Sequence, residues 1–234
     1  MAVGSGGRRW RRRRFGLRRF PVVTAVVFGV TAATSVLGLV DAEVLAALQR
    51  APEGLHGDRW RTFTSLLVQD GGVPGTLSNL FFLLVMGVLA EQVAGRWRWL
   101  VAYLGAGLAG ELAGYAWQPR GAGNSVAVCG LAGVLVVALA VGGRTPRLAP
   151  MVVLWWCGAL LASRWGAVPL VGFVVGAVAV QLAPPRWAVP AGRLAAAAAA
   201  VVALVLVAAT DVHGAALAAG IVIAAVTGRR VARA

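Results

Sequence analysis

The sequence predicts an all-α fold, a polytopic bundle of membrane helices, and three observations predict it. Hydrophobic residues make up 59% of the 234-residue chain and charged residues only 13%, a composition suited to lipid rather than to water. Apolar runs of about 20 residues, the length that crosses the hydrocarbon of a bilayer, recur along it. Between them lie short polar linkers rich in Gly, Pro and Arg, such as Gly95-Arg96-Trp97-Arg98, Gln118-Pro119-Arg120-Gly121 and Pro184-Pro185-Arg186, and each can reverse the chain.

The elements follow in order. Residues 1–19 form an Arg-rich tail, with eight Arg between positions 8 and 19 directly before an apolar run, the pattern of a cytoplasmic anchor. Phe20–Val40 exceeds the ~7–15 residues of a signal-peptide core and further spans follow, so it is expected to stay as the first helix. Residues 41–74 are the one sizeable segment outside the membrane. Within this outer loop Val44, Leu45, Ala47 and Leu48 have the spacing of a short amphipathic helix lying on the bilayer. Seven more spans are expected at 76–94, 98–117, 124–142, 149–163, 167–183, 191–209 and 212–228. The pair 149–163 and 167–183 reads either as two short spans or as one re-entrant hairpin. The membrane domain thus covers 20–228, and 229–234 form a second tail.

All 22 basic residues are Arg, giving a net charge of +14. With so apolar a remainder, nucleic acid is not the expected partner; the bilayer is. If the N-terminus is cytoplasmic, the inner side receives the eight tail Arg with Arg96, Arg98, Arg144, Arg147, Arg186, Arg193, Arg229, Arg230 and Arg233. The outer side receives only Arg50, Arg59, Arg61, Arg120 and Arg164. The positive-inside rule selects this topology and puts both termini in the cytoplasm. The Ala- and Arg-rich, Lys-free composition is that of GC-rich bacterial genomes, which points to a bacterial inner membrane.

The topology places two chemically useful residues at one depth. Ser125, in Gly123-Asn124-Ser125, opens a span that runs from outside to inside. His213, in Val212-His213-Gly214, opens another that runs the same way, and the chain has only two His. A serine hydroxyl needs a base to attack a peptide carbonyl, and imidazole can take and return a proton near neutrality. Ser125 and His213 are therefore the candidate nucleophile and base of a hydrolytic dyad. A residue at a helix start also has a backbone N–H without an intrahelical acceptor, a ready oxyanion donor. No metal or cofactor is expected: two His, no Cys pair at ligand spacing and no clustered carboxylates leave no metal site. No Gly-rich phosphate loop with Lys is present either. Cys129 and Cys157 lie inside apolar runs and read as small core residues.

These residues also carry a resemblance. Trp60-Arg61 in the outer loop, Asn79 early in the second span, Glu91-x-x-x-Gly95-Arg96 at its end, Tyr103 in the third and Gly123-Asn124-Ser125 opening the fourth occur in the order seen in the rhomboid intramembrane serine proteases. His213-x-x-Ala216-x-x-x-Gly220 in the last span completes the set. The resemblance implies a six-helix core, cleavage of a transmembrane substrate near the outer face, Ser125 and His213 as the dyad, and Asn79 as a side-chain oxyanion donor. Three positions depart from the family pattern. Val126 stands where a glycine usually follows the serine, Gly75 where a loop histidine lies four residues before Asn79, and Ala216 where the first glycine follows the catalytic histidine. The family needs one helix between its serine and histidine helices, whereas residues 148–209 offer three apolar runs, so an inserted hairpin is expected.

Each residue has a plainer role open to it. Ser125 or Asn124 can simply cap a helix, and Asp211 reads as the cap of the last helix, so no triad is assigned. Glu91 is expected to pair with Arg96 or Arg98, and mid-span Glu111 needs a partner that the sequence does not identify. Trp60 and Arg61 can serve as interfacial anchors. Gly130 and Gly133 with Ala216 and Gly220 are spaced for close helix contact. The alternatives to a protease are a catalytically silent rhomboid-like protein that binds transmembrane helices as adaptor or chaperone and, more distantly, a small-solute transporter.

Overall fold

The computed structural model describes residues 20–229; the tails 1–19 and 230–234, with the Arg they contribute to the orientation argument, lie outside the described residues. Eight long helices form the bundle: α1 (Val22–Val40), α4 (Gly72–Ala94), α5 (Arg96–Trp117), α6 (Ser125–Ala140), α7 (Ala149–Trp165), α8 (Ala167–Leu182), α9 (Ala188–Ala208) and α10 (Val212–Arg229). Two short helices, α2 (Ala42–Leu48) and α3 (Arg61–Thr64), lie in the loop after α1. The helices match the apolar runs closely; α4 begins earlier than its run because Gly72, Val73 and Pro74 already form its first turn. Pro150, Pro169 and Pro190 likewise fall in the first turns of α7, α8 and α9, where a missing N–H breaks no helical hydrogen bond.

The surface is that of a membrane protein. Helix α1 buries Thr24, Thr31 and Ser35 and exposes Val22, Val26, Val30 and Leu37, the reverse of a helix solvated by water. Helix α8 turns Val168, Val171, Val175, Val178 and Leu182 outward along one stripe. Among the described residues, three helical stretches are long and apolar enough to cross a bilayer unaided: Val22–Val40, Gly72–Ala94 and Pro185–Ala208. The other long helices lean on their neighbours.

Helix α6 is the central element, packed against α4, α5, α7, α9 and α10. It meets α10 through glycines. A Cβ on Gly220 would lie 2.7 Å from Gly130 Cα, and one on Gly133 would lie 2.6 Å from Ile221 N, so the two backbones touch and any larger residue would push them apart. Ala216, one turn before Gly220, also approaches α5: a Cβ on Gly110 would lie 2.9 Å from its Cβ.

Helices α7 and α8 form a hairpin joined at Gly166, whose φ of +82° only glycine adopts freely. Arg164, at the end of α7, is close enough to Asp211 at the start of α10 for its charge to act there, and Arg147 before α7 donates to the Gln181 carbonyl near the end of α8 at 3.3 Å. The two helices thus form one antiparallel hairpin inserted between α6 and α9. Three helices therefore separate α6 from α10, an odd number, and the two run parallel. An aromatic cluster, Phe81 and Phe82 of α4 with Trp155 and Trp156 of α7, joins the hairpin to the core.

Glu91 meets the expected Arg96 but serves another element first. Its carboxylate accepts from Val23 N at 3.2 Å, Thr24 N at 2.9 Å and Thr24 Oγ1 at 2.8 Å, while Arg96 stands off at 3.7 Å. Its main work is to satisfy the free N–H groups that open α1, where the helix dipole favours an anion. Gly95, at φ +79°, turns the chain from α4 into α5.

Candidate active site

Ser125 is the first residue of α6 and His213 the second of α10. Because those helices are parallel and touch at Gly130, Gly133 and Gly220, their starts meet as well. Ser125 Oγ lies 3.0 Å from His213 Nε2, within reach for proton transfer. The pair is partly exposed rather than sealed, with the His213 side chain 21% accessible.

The start of α6 is uncapped. Asn124 occupies the capping position but its side chain makes no capping bond; instead its Oδ1 accepts from Gln69 Nε2 at 3.0 Å. Neither plain role foreseen for Asn124 and Ser125 is used, since Ser125 Oγ faces His213. The first N–H groups of α6 are left for another acceptor. Gln69, which sequence reasoning missed, also accepts from Asn79 Nδ2 at 2.6 Å. This holds the Asn79 amide by one of its two N–H groups and leaves the other free. Gly123 keeps the space open: a Cβ there would lie 3.1 Å from Ser125 Oγ and 3.6 Å from Asn79 Nδ2.

The loop carrying Ser125 is pinned by distant residues. Gly123 N donates to Ser65 O at 2.9 Å, and Arg50 and Gly121 exchange backbone hydrogen bonds at 2.9 and 3.2 Å. Ala122 N donates to Asp70 Oδ2 at 2.9 Å. Arg50, assigned to the outer side, is turned inward. It is 3% exposed, pairs with buried Glu111 at 2.6 Å and donates to Gln118 O at 3.0 Å, packed flat against Gly114. This is the partner that Glu111 required. The signal was present in the sequence, since a mid-span carboxylate demands a cation, but five Arg competed for the role. Arg61 ties the loop differently, donating to Asp58 Oδ2 at 3.0 Å and to Ala46 O and Gln49 O at 2.7 and 3.2 Å. It thus caps the end of α2 rather than reaching for headgroups. Trp60 beside it is exposed.

Two departures from the family pattern have structural answers. The Val126 side chain points into α5 at the space that Gly110 leaves, so it does not stand over Ser125. Gly75 lies one turn before Asn79 on α4, and a Cβ there would meet nothing within 4 Å; the position of the missing histidine is open.

At the start of α10, Asp211 Oδ1 accepts from His213 N at 2.9 Å and contacts His213 Nδ1 at 2.7 Å. The expectation of a cap is met, and the ring contact goes beyond it. Burial works against the Asp211 charge, but the hydrogen bond and charge of His213 outweigh it and hold the carboxyl below the ordinary carboxylate range.

A lipid-facing helical bundle with a serine and a histidine joined at the starts of two parallel helices is an integral membrane protein with the elements of a hydrolytic site. The Rhomboid domain family matches residues 56–182, more than half of the chain, and the protein belongs to the rhomboid family. The match includes Ser125 and ends before α9 and α10, so His213 is placed by geometry alone. A search of curated proteins found no match.

Proposed function

We propose that this rhomboid is an intramembrane serine endopeptidase that cleaves a transmembrane protein substrate. The observation that carries the reading is the 3.0 Å contact between Ser125 Oγ and His213 Nε2 at a helix start whose N–H groups are uncapped. Ser125 Oγ attacks the scissile carbonyl as its proton passes to Nε2. The oxyanion accepts from the Ser125 N–H and the free Asn79 N–H. His213 then returns the proton to the leaving amine, and water hydrolyses the Ser125 ester by the same steps.

The Arg distribution supports an orientation with this end of the bundle outside and both termini cytoplasmic, in a bacterial inner membrane. One feature favours the silent, helix-binding reading: Gly75 leaves one donor fewer than the family pattern supplies. Purified protein treated with a fluorophosphonate probe decides between them. Labelling that Ser125→Ala and His213→Ala abolish supports the peptidase. No labelling under conditions that label an active rhomboid supports the adaptor. In intact cells a reporter fused at the C-terminus should read cytoplasmic and one near Gly121 external; an external C-terminus would overturn the orientation.

A further inference from the structure

We propose that Asp211 is a positioning residue for His213, so that the site works as a Ser125–His213–Asp211 chain of hydrogen bonds rather than as a dyad; this rests on the reading of Ser125 as nucleophile. A carboxylate only accepts hydrogen bonds, so the 2.7 Å contact between Asp211 Oδ1 and His213 Nδ1 requires the imidazole proton to sit on Nδ1. Nε2 then presents its lone pair to Ser125 Oγ, 3.0 Å away. This is the tautomer that a general base must hold.

The carboxylate is itself fixed. The same Oδ1 accepts the His213 backbone N–H at 2.9 Å, at the positive end of α10. The Asp211 side chain is only 8% exposed, so water screens its charge little. When His213 takes the serine proton, the imidazolium faces this carboxylate directly. The other charged groups near the pair are Arg164 at the end of α7 and Glu111 of α5, the latter paired with Arg50.

The backbone is built to deliver Asp211 there. Thr210 adopts φ +53°, a left-handed conformation that a β-branched residue avoids. Thr210 N and Asp211 N donate to Val207 O and Leu206 O, both at 2.9 Å, which closes the end of α9. Gly214 lets the first turn of α10 lie against it, since a Cβ there would lie 2.7 Å from Leu206 Cβ. As a helix cap alone, Asp211 could be replaced by Asn or Ser, which would serve as well.

That equivalence supplies the test. Asp211→Asn and Asp211→Ser both keep a capping oxygen, but Asn lacks the charge and Ser cannot reach the ring. In the full chain, with a model transmembrane substrate, kcat should fall about 10²–10⁴-fold in both, with KM and thermal midpoint near wild type and partial recovery in Asp211→Glu. The ¹⁵N spectrum of His213 should show the Nδ1–H form in the wild type and lose it in Asp211→Ser. Wild-type kcat in both variants, or a fall that only tracks lost stability, would overturn the proposal while leaving Ser125 as nucleophile. If the wild type shows no Ser125-dependent turnover, the peptidase reading fails instead. The ¹⁵N spectrum then decides for Asp211 alone: a tautomer lost in Asp211→Ser keeps the positioning role, and an unchanged one ends it.

Discussion

Ser125 and His213 stand at the starts of neighbouring parallel helices, yet they are held in opposite ways. The turn before α10 is local: its bonds run among neighbours between Leu206 and Gly214, and its helix is capped. The loop before α6 is assembled from afar, by Arg50, Ser65, Gln69, Asp70 and Glu111, and its helix is uncapped. The contrast teaches a division of labour. On the proposed reading, His213 as base needs its ring fixed in one tautomer, which a neighbour two residues away can do. On the same reading, Ser125 as nucleophile needs free backbone donors beside it, so its loop must be anchored by contacts that leave the helix start alone.

The contrast is broken most forcefully at the ion pair. Arg50→Ala or Glu111→Ala leaves a buried charge without its partner, and each should cost about 3–5 kcal/mol. In detergent, the thermal midpoint should drop sharply and Ser125 labelling should vanish. Replacing both with apolar residues of similar size should regain much of the stability. If the single variants melt like the wild type, the Ser125 loop does not depend on this anchor.

A smaller effect is expected at the donors. Asn79→Ala should lower kcat about 10²–10³-fold, the cost of one oxyanion donor elsewhere. Gly75→His should raise it, because the site is open and a new donor acts on the transition state more than on bound substrate. Val126→Gly should not, since Val126 points into α5. A gain from Val126→Gly with none from Gly75→His would mean that access, rather than donors, limits turnover.

The smallest effect belongs to the local turn. Thr210→Gly removes a left-handed β-branched residue and should stabilise the chain by about 1 kcal/mol or less, part of the gain being lost to the freer unfolded chain. Ser125 labelling should proceed at an unchanged rate. A slower rate in a more stable protein would show that the rigidity of Thr210 helps to hold Asp211 in place.

The sequence by itself determined the helices, their order and the parity that puts Ser125 and His213 at one end, because hydrophobic length and linker chemistry act locally along the chain. It also placed Asp211 two residues from His213, although a cap and a ring partner share that spacing and only the fold of the turn shows both. Tertiary structure alone decided which Arg neutralises Glu111, that Glu91 serves α1 before Arg96, that Gln69 joins Asn79 to Asn124, and that Val126 finds room at Gly110. Each of these joins residues at least 10 positions apart. Charge and small size could nominate such partners, but several candidates of equal chemistry were present, and only packing brings one of them within bonding distance.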